Sequence, residues 1–353
     1  MIPVSSSTLD SNKAISSVPV DADWQTQMAK SFRTPKDLLQ YLNIDEKKLP
    51  YKVDHNNAFR LRVSQHFADL MNPSDPFDPI LLQVLPRIEE TQASERYGDN
   101  PLHEDDFSPV PGLIHKYANR VLFIAHQACA VHCRYCFRRH FPYQDQRVTD
   151  DTLKQSINYI ASNPAIEEVI LSGGDPLSLN DEQLGALLER LDSIPQIRTI
   201  RLHSRTPTIL PARITESLLA KFRALSKKIV LVLHINHKNE ISPALSRQLR
   251  RLRDSKVLLL NQTVLLRQIN DNADVQVALC RTLFDHDVLP YYLHCLDPVQ
   301  GAHHFEVDEA RAQTIWQEMQ SKLSGYLLPR LVREIPYKAS KTWINNTNDG
   351  KGY

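Results

Sequence analysis

The sequence predicts an α/β protein whose core is an incomplete (β/α)6 TIM-type barrel behind an N-terminal helical extension. From residue 120 onward, short apolar runs alternate with amphipathic segments of helical length. This pair of patterns occurs six times. The apolar runs are continuous, which is typical of strands buried on both faces of a parallel sheet. Six units suit an incomplete barrel better than an open sheet, although the pattern alone does not separate the two.

The predicted elements follow one another in strict alternation. The apolar runs are Val121–Ala125, Glu168–Leu171, Ile197–Leu202, Ile229–Ile235, Val257–Leu266 and Leu289–Leu296. The helical segments lie near 150–162, 181–192, 214–225, 242–254, 273–286 and 307–323. Helices between strands are what parallel pairing requires, because each strand must return to the same edge of the sheet.

Four regions follow from these patterns: a tail over 1–20, a helical and loop-rich region over 21–110, the barrel over 111–325 and a C-terminal segment over 326–353. Apolar residues at helical spacing run from Trp24 to Leu42, with Pro35 interrupting them. Seven prolines between Met71 and Gly112 predict extended connections there. The acidic run Glu104-Asp105-Asp106 predicts a solvated face.

Composition excludes several classes of protein. The 353 residues are 42% hydrophobic, enough for one large core or two modest ones, and the net charge of +1 gives no support for binding nucleic acid or an anionic membrane. No run approaches the roughly 20 apolar residues that cross a bilayer. The serine-rich tail lacks the basic and apolar parts of a secretory signal. We therefore expect a soluble, cytoplasmic protein.

The cysteines carry the strongest signal. Three of the five fall within eight residues, at Cys129, Cys133 and Cys136, directly after the first predicted strand. In β/α barrels the loops at the carboxyl ends of the strands carry the chemistry. Three thiolates on one loop can hold an iron–sulfur cluster with one iron left open. An odd number of cysteines in a cytoplasmic chain argues against disulfides.

Two other interpretations of these cysteines stay open at this point. Zinc prefers four nitrogen or sulfur ligands, and His126, His132 or His140 could supply the fourth. The thiols could also be reduced and structural. We interpret the two remaining cysteines, Cys280 and Cys295, as packing residues.

Sequence motifs now point to a family. Cys-x3-Cys-x2-Cys with Tyr135 before the last cysteine resembles the radical S-adenosylmethionine (SAM) signature. That resemblance implies a [4Fe-4S] cluster, SAM on its open iron, and a 5′-deoxyadenosyl radical after reductive cleavage. Tyr135 would lie beside the adenine. The run Ser172-Gly173-Gly174-Asp175-Pro176 follows the second strand and resembles the superfamily's glycine-rich element near the SAM amino group; alone it would be an ordinary turn.

A narrower resemblance, to lysine 2,3-aminomutases, covers about residues 110 to 342. It is carried by Cys133-Arg134-Tyr135-Cys136-Phe137-Arg138-Arg139, Ser204-Arg205-Thr206-Pro207, His234-Ile235-Asn236-His237-Lys238-Asn239-Glu240-Ile241, Asn261-Gln262-Thr263-Val264-Leu265-Leu266-Arg267 and Pro290-Tyr291-Tyr292. The resemblance implies conversion of L-α-lysine to (R)-β-lysine with pyridoxal 5′-phosphate (PLP) as a further cofactor. The short C-terminus is similar to the branch that supplies β-lysine for modifying elongation factor P.

The resemblance assigns roles residue by residue. Lys341 would bind PLP and Arg138 the substrate carboxylate, while Asp297 and Glu334 would bind the substrate's ε-ammonium. Further cofactor contacts are implied at Arg120, Tyr135, Gly173, Gly174, Asp175, Arg205, His234 and Gln262. Larger relatives have glycines before the cofactor lysine, whereas this chain reads Pro336-Tyr337-Lys338-Ala339-Ser340, which leaves Lys338 as a weaker candidate. Asn272 stands where those relatives have a zinc-binding cysteine, so we predict no zinc there.

Competing functions remain at this level. A related aminomutase acting on arginine fits the paired acids, whereas glutamate fits them poorly because they would repel its side chain. A non-catalytic iron–sulfur or zinc module is the alternative of a different class. The expected partners are L-lysine, a cellular electron donor and, in the same pathway, a β-lysine ligase acting on elongation factor P.

Overall fold

The computed structural model describes residues 23–142 and 149–344, and within them the chain forms a nine-stranded sheet. The predicted tail over 1–20 lies outside these residues. The strands, which follow chain order across the sheet, are β1 Leu113–Tyr117, β2 Arg120–His126, β3 Glu168–Gly173, β4 Thr199–Ser204, β5 Lys228–His234, β6 Leu258–Val264, β7 Leu289–His294, β8 Arg330–Arg333 and β9 Thr342–Trp343.

Strands β2 to β8 pair in parallel, and an antiparallel strand closes each end of the series. The terminal strands β1 and β9 stand at opposite ends of the order, so the barrel is incomplete as predicted. The six predicted strands are confirmed as β2 to β7. Strand β8 was not predicted, because its four residues, with an arginine at each end, carry no apolar run.

The helices are α1 Trp24–Ala29, α2 Pro35–Tyr41, α3 Gln65–Ala68, α4 Asp150–Ala161, α5 Asp181–Asp192, α6 Thr206–Ile209, α7 Glu216–Ala224, α8 Pro243–Asp254, α9 Ala273–Phe284 and α10 Glu309–Lys322. The six predicted between or after strands are confirmed as α4, α5 and α7 to α10. A polar cap fixes where each begins; Asn180, for example, accepts a hydrogen bond from the Gln183 amide at α5. Pro35 begins α2 rather than interrupting it, since the first turn tolerates proline.

Two of the hydrophobic clusters among the described residues position the site. The larger lies between the sheet and its helices and includes Phe123, Leu202 and Leu231. The second belongs to the N-terminal region, where Phe67 is fully buried, and it also takes in Ala130 and Val131 from the cysteine loop. The N-terminal region therefore packs directly on that loop. The boundaries between the four predicted regions stay a prediction.

Nothing in the described ranges resembles a membrane span: no helix there is both long enough and apolar enough to cross a bilayer.

Candidate active site

A cavity of about 290 Å³ opens at the carboxyl ends of the parallel strands. Its wall contains every site residue that the sequence predicted: Arg120, Cys129, Cys133, Tyr135, Cys136, Arg138, Gly173, Gly174, Asp175, Arg205, His234, Gln262, Asp297, Glu334 and Lys341. The cysteine loop and Lys341 come from opposite ends of the sheet order, and curvature of the sheet brings them to one cavity. The fold thus assembles the predicted set in one place, while the role of each residue stays a prediction.

The three loop cysteines are half-buried and reduced. Burial raises the pKa of the Cys129 thiol, and negative charge on Asp175, Cys136 and Cys133 raises it further. Burial and Cys133 likewise raise the pKa of Cys136 to about 11. Three thiols that would repel one another as thiolates suit a cationic iron centre, because iron–sulfur clusters are held by deprotonated cysteine.

The zinc interpretation finds no geometric support. Across residues 23–142 and 149–344, no three His, Cys, Asp or Glu side chains are grouped to hold a single metal ion. Two of the proposed histidine ligands have one ring nitrogen bonded to the backbone: His132 Nδ1 lies 2.7 Å from the Arg60 carbonyl oxygen, and His140 Nε2 lies 3.2 Å from that of Gln300, which leaves the other ring nitrogen of each for a metal. A cubane cluster differs from a lone ion because its ligand sulfurs surround a body of several atoms.

Two glycines bring strand β3 against the start of the cysteine loop. Gly173 has φ +111°, and a Cβ there would lie 2.7 Å from the His126 carbonyl oxygen. A Cβ on Gly174 would lie 2.5 Å from the carbonyl oxygen of Ala128. Only glycine permits this approach. The two glycines therefore set how closely the start of the cysteine loop approaches the end of β3.

The Asp175 carboxylate forms hydrogen bonds with groups of the protein itself. Its carboxylate accepts hydrogen bonds from the Leu177 amide, the Ser204 hydroxyl and the amides of Arg205 and Thr206, at 2.7–3.0 Å. These bonds tie the end of β3 to the end of β4. The predicted contact between Asp175 and SAM stays untested, and the structure gives this residue a scaffolding role.

The opposite side of the cavity holds the predicted substrate acids. Glu334 accepts hydrogen bonds from Lys116 at 2.5 Å, Tyr117 at 2.6 Å and Lys341 at 2.6 Å. Burial opposes its ionisation, but the two lysines and the tyrosine outweigh burial and lower its pKa to about 2. Glu334 is buried rather than solvated, and Lys341 occupies the position at which a ligand ammonium could bind.

Asp297 has the opposite electrostatic character. Burial raises its pKa to about 7; Lys341 lowers it, while Glu334 and Glu104 raise it again. Its Oδ1 is buried without a hydrogen-bond partner in the described structure. An orphaned carboxylate oxygen in a cavity is a favourable position for a cationic ligand, because the cation restores the lost solvation.

The prediction that the acidic run Glu104-Asp105-Asp106 forms a solvated face is wrong for its first residue. Glu104 does not lie on a solvated face: both its oxygens accept hydrogen bonds from Arg138, at 2.7 and 2.6 Å. Arg138 also donates to the Ser172 hydroxyl at 3.2 Å. Glu104 is therefore part of the site, and sequence reasoning missed it because nothing local distinguishes it from its exposed acidic neighbours.

Other cavity residues were also missed. Lys116 and Tyr117 end strand β1, which was not predicted because it precedes the regular alternation. His203 ends β4 and lies in the cavity wall, with its Nε2 buried and unpartnered in the part of the chain the structure describes; burial lowers its pKa well below the usual value. Its position at the carboxyl end of a parallel strand was the available signal.

The remaining predicted contacts lie as follows. Arg120 stacks on the Tyr117 ring at 4.3 Å, and Gln262 lies on β6 facing the cavity. The ring of Tyr135 stacks with His234 at 5.6 Å. Arg205 reaches from the end of β4 to the cysteine loop. Cys280 and Cys295 lie in the hydrophobic core, away from the cavity wall.

This fold and cavity define a class of protein. Residues 123–261 match the Radical SAM superfamily, whose members use a [4Fe-4S] cluster and SAM. The donor set fits such a cluster, and Cys129, Cys133 and Cys136 are the residues that would hold it.

Curated relatives narrow the class. The L-lysine 2,3-aminomutase of Escherichia coli (strain K12) is 46% identical over 325 residues, which cover 92% of this chain and 95% of that protein. The corresponding protein of Haemophilus influenzae is 41% identical, covering 91% and 95%. That of Clostridium subterminale is 34% identical, covering 91% and 77%. The chain belongs to the L-lysine 2,3-aminomutase family of radical SAM proteins.

Among solved structures, a radical SAM methyltransferase from Sphaerobacter thermophilus aligns with 63% of this chain and 68% of its own, at TM-score 0.44 and 15% identity.

Proposed function

We propose that this protein is a PLP-dependent radical SAM aminomutase that converts L-α-lysine to (R)-β-lysine. One observation carries the proposal: the three-cysteine loop, Lys341 and the two acids Asp297 and Glu334 line the same cavity. Cys129, Cys133 and Cys136 would hold the cluster, which with SAM would supply radical chemistry, and Lys341 would hold PLP, which would supply an aldehyde. The relatives from Escherichia coli and Haemophilus influenzae are L-lysine 2,3-aminomutases, which supports this choice of reaction.

The residues present fit PLP. Lys341 is one of two lysines in the cavity wall, and its Nζ donates a hydrogen bond to Glu334 at 2.6 Å. Cationic groups that suit a phosphate lie on the same wall, at Lys116, Arg120 and Arg201. Lys341 would bind the cofactor. Its departure from Glu334 would then leave that carboxylate available to a second cation.

The substrate would be oriented at both ends. Arg138 would attract the α-carboxylate through its positive charge, while Glu104 and Ser172 hold the guanidinium in place. Asp297 and Glu334 would receive the ε-ammonium, because that cation compensates the buried carboxylates. Holding both ends of an extended amino acid would restrict the position of its α and β carbons, between which the amino group moves.

The test is an anaerobic assay of reconstituted protein with L-lysine, SAM, PLP and a strong reductant, followed by chiral mass spectrometry. Wild-type protein is expected to form (R)-β-lysine, and Lys341→Ala to form none. Borohydride trapping should attach PLP to Lys341, and Lys338→Ala is the matched control that keeps both signals. Product in Lys341→Ala would place PLP elsewhere. SAM cleavage without β-lysine would refute the substrate, and L-arginine in parallel tests the alternative aminomutase.

We further propose a cytoplasmic role in which β-lysine passes to a ligase that modifies elongation factor P, with a cellular electron donor reducing the cluster. The support is the resemblance of the segment before Lys341, which lacks a full glycine run, to that branch of the family. Deleting the gene should remove the β-lysyl mass increment from elongation factor P. An unchanged mass of elongation factor P would contradict the proposed role in its modification, but it would not contradict the proposed aminomutase reaction.

A further inference from the structure

A network of buried polar side chains joins the cysteine loop to the N-terminal region and to the segment after β5. Gln83 comes from the N-terminal region, Tyr135 from the loop itself, Arg205 from the end of β4, and Asn236 and Glu240 from the segment after β5. All five are less than 9% exposed. Buried polar groups are costly unless they are satisfied, so a network of this size needs a structural or functional reason.

Glu240 anchors the network. Its Oε1 accepts hydrogen bonds from the Gln83 amide at 3.1 Å and from the backbone amides of Asn236 and His237 at 2.9 and 3.0 Å. Its Oε2 accepts from Arg205 Nη2 at 3.0 Å. The carboxylate is fully buried and is held from several sides, so it fixes the plane of the guanidinium opposite it.

The other end of that guanidinium meets the cysteine loop. Arg205 Nη1 lies 2.7 Å from Cys133 Sγ and 2.5 Å from the Tyr135 hydroxyl. Arg205 Nη2 also donates to Gln83 Oε1 at 2.7 Å. The buried guanidinium therefore places its positive charge beside the sulfur of a residue that would hold the cluster.

We propose that Arg205, oriented by Glu240 and Gln83, is a positioning residue that raises the reduction potential of the cluster through Cys133. One-electron reduction adds negative charge to a cluster and its thiolates. An N–H donor and a buried cation at the sulfur stabilise that added charge, and hydrogen bonds to the sulfurs are a known determinant of cluster potential. The proposal rests on the cluster implied by the superfamily and does not depend on lysine as the substrate.

The experiment is a potentiometric titration of the reconstituted protein, with the reduced cluster measured by electron paramagnetic resonance. Arg205→Gln removes the positive charge and the paired N–H donors of the guanidinium, whereas Arg205→Lys keeps the positive charge. The matched control is Arg213→Lys: Arg213 is a fully buried arginine whose ion pair with Asp181 touches none of the loop cysteines. Iron and sulfide are counted for each variant before titration.

At the wild-type midpoint, Arg205→Gln should show a ratio of reduced to oxidised cluster about tenfold lower, a shift of about 59 mV to more negative potential for a one-electron couple. Arg205→Lys should shift in the same direction by less, and Arg213→Lys should keep the wild-type midpoint. An unchanged midpoint in Arg205→Gln would overturn the proposal. So would failure of both Arg205 variants to hold a cluster while Arg213→Lys loads fully, because the role would then be structural.

Discussion

Replacing Asp297 by asparagine should stabilise the ligand-free protein, although it should impair binding of a cationic substrate. The carboxylate lies at the cavity wall with Oδ1 buried and unpartnered in the described structure, and its pKa is raised from 3.8 to about 7. A carboxyl that is harder to ionise when folded destabilises the folded state at alkaline pH. The amide keeps the shape and has no charge to desolvate.

The magnitude follows from the pKa difference. A gap of about three units corresponds to roughly 4 kcal/mol, which is an upper limit because the amide also loses some hydration. The folded state binds the proton more tightly than the unfolded state does. The full destabilisation is therefore present above pH 7. It declines as pH falls from about 7 to about 4, and it disappears below the unfolded pKa.

The assay is urea unfolding of cluster-free wild type and Asp297→Asn between pH 5 and 8.5. We expect the variant to have the higher free energy of unfolding, with a difference that shrinks by about 1.4 kcal/mol per pH unit below 7. Glu334 should not change its charge between pH 5 and 8.5, because its pKa of about 2 keeps it ionised in the folded protein over that range. The control Asp181→Asn should be destabilised instead, since Asp181 has an ion pair with a buried arginine. A variant less stable than wild type, or a difference independent of pH, would refute the reasoning.

Three further changes test the site and its scaffold. Glu104→Gln breaks the two-point contact with Arg138 and should raise KM for L-lysine about tenfold with little change in kcat, measured by product formation; an unchanged KM would remove Glu104 from the site. Gly174→Ala forces a Cβ to 2.5 Å from a backbone oxygen and should lower the iron content after reconstitution, whereas Gly98→Ala, with open space around it, should not. Phe123→Ala should cost about 3–5 kcal/mol in urea unfolding, and a loss under 1 kcal/mol would contradict its placement in the core.

Much of the site could be predicted because its residues follow the barrel's strands in a regular way. Cys129 follows β2, Gly173 ends β3, Arg205 follows β4 and His234 ends β5. Parallel strands present all their carboxyl ends at one edge, so a motif placed after a strand is also placed in space. The roles of Lys341 and its acidic partners came from resemblance alone, since no periodic pattern marks them.

The contacts that the sequence did not predict join residues that are far apart in the chain. Glu104 meets Arg138 across 34 positions in the chain, and Lys116 meets Glu334 across 218. Gln83 and Glu240 meet across 157. No local sequence pattern predicts such pairs, because each partner taken alone is indistinguishable from an ordinary polar residue.

The sequence by itself determined the alternating strands and helices and the cysteine loop, because hydrophobic periodicity and motif spacing are local properties of the chain. The tertiary structure alone decided which charges face one another. It turned Glu104 inward, paired Glu334 with two lysines, left an oxygen of Asp297 without a hydrogen-bond partner among the described residues, and brought Arg205 to the sulfur of Cys133. Those outcomes depend on how the sheet curves and how the N-terminal region packs on it, and burial then sets the strength of each electrostatic interaction.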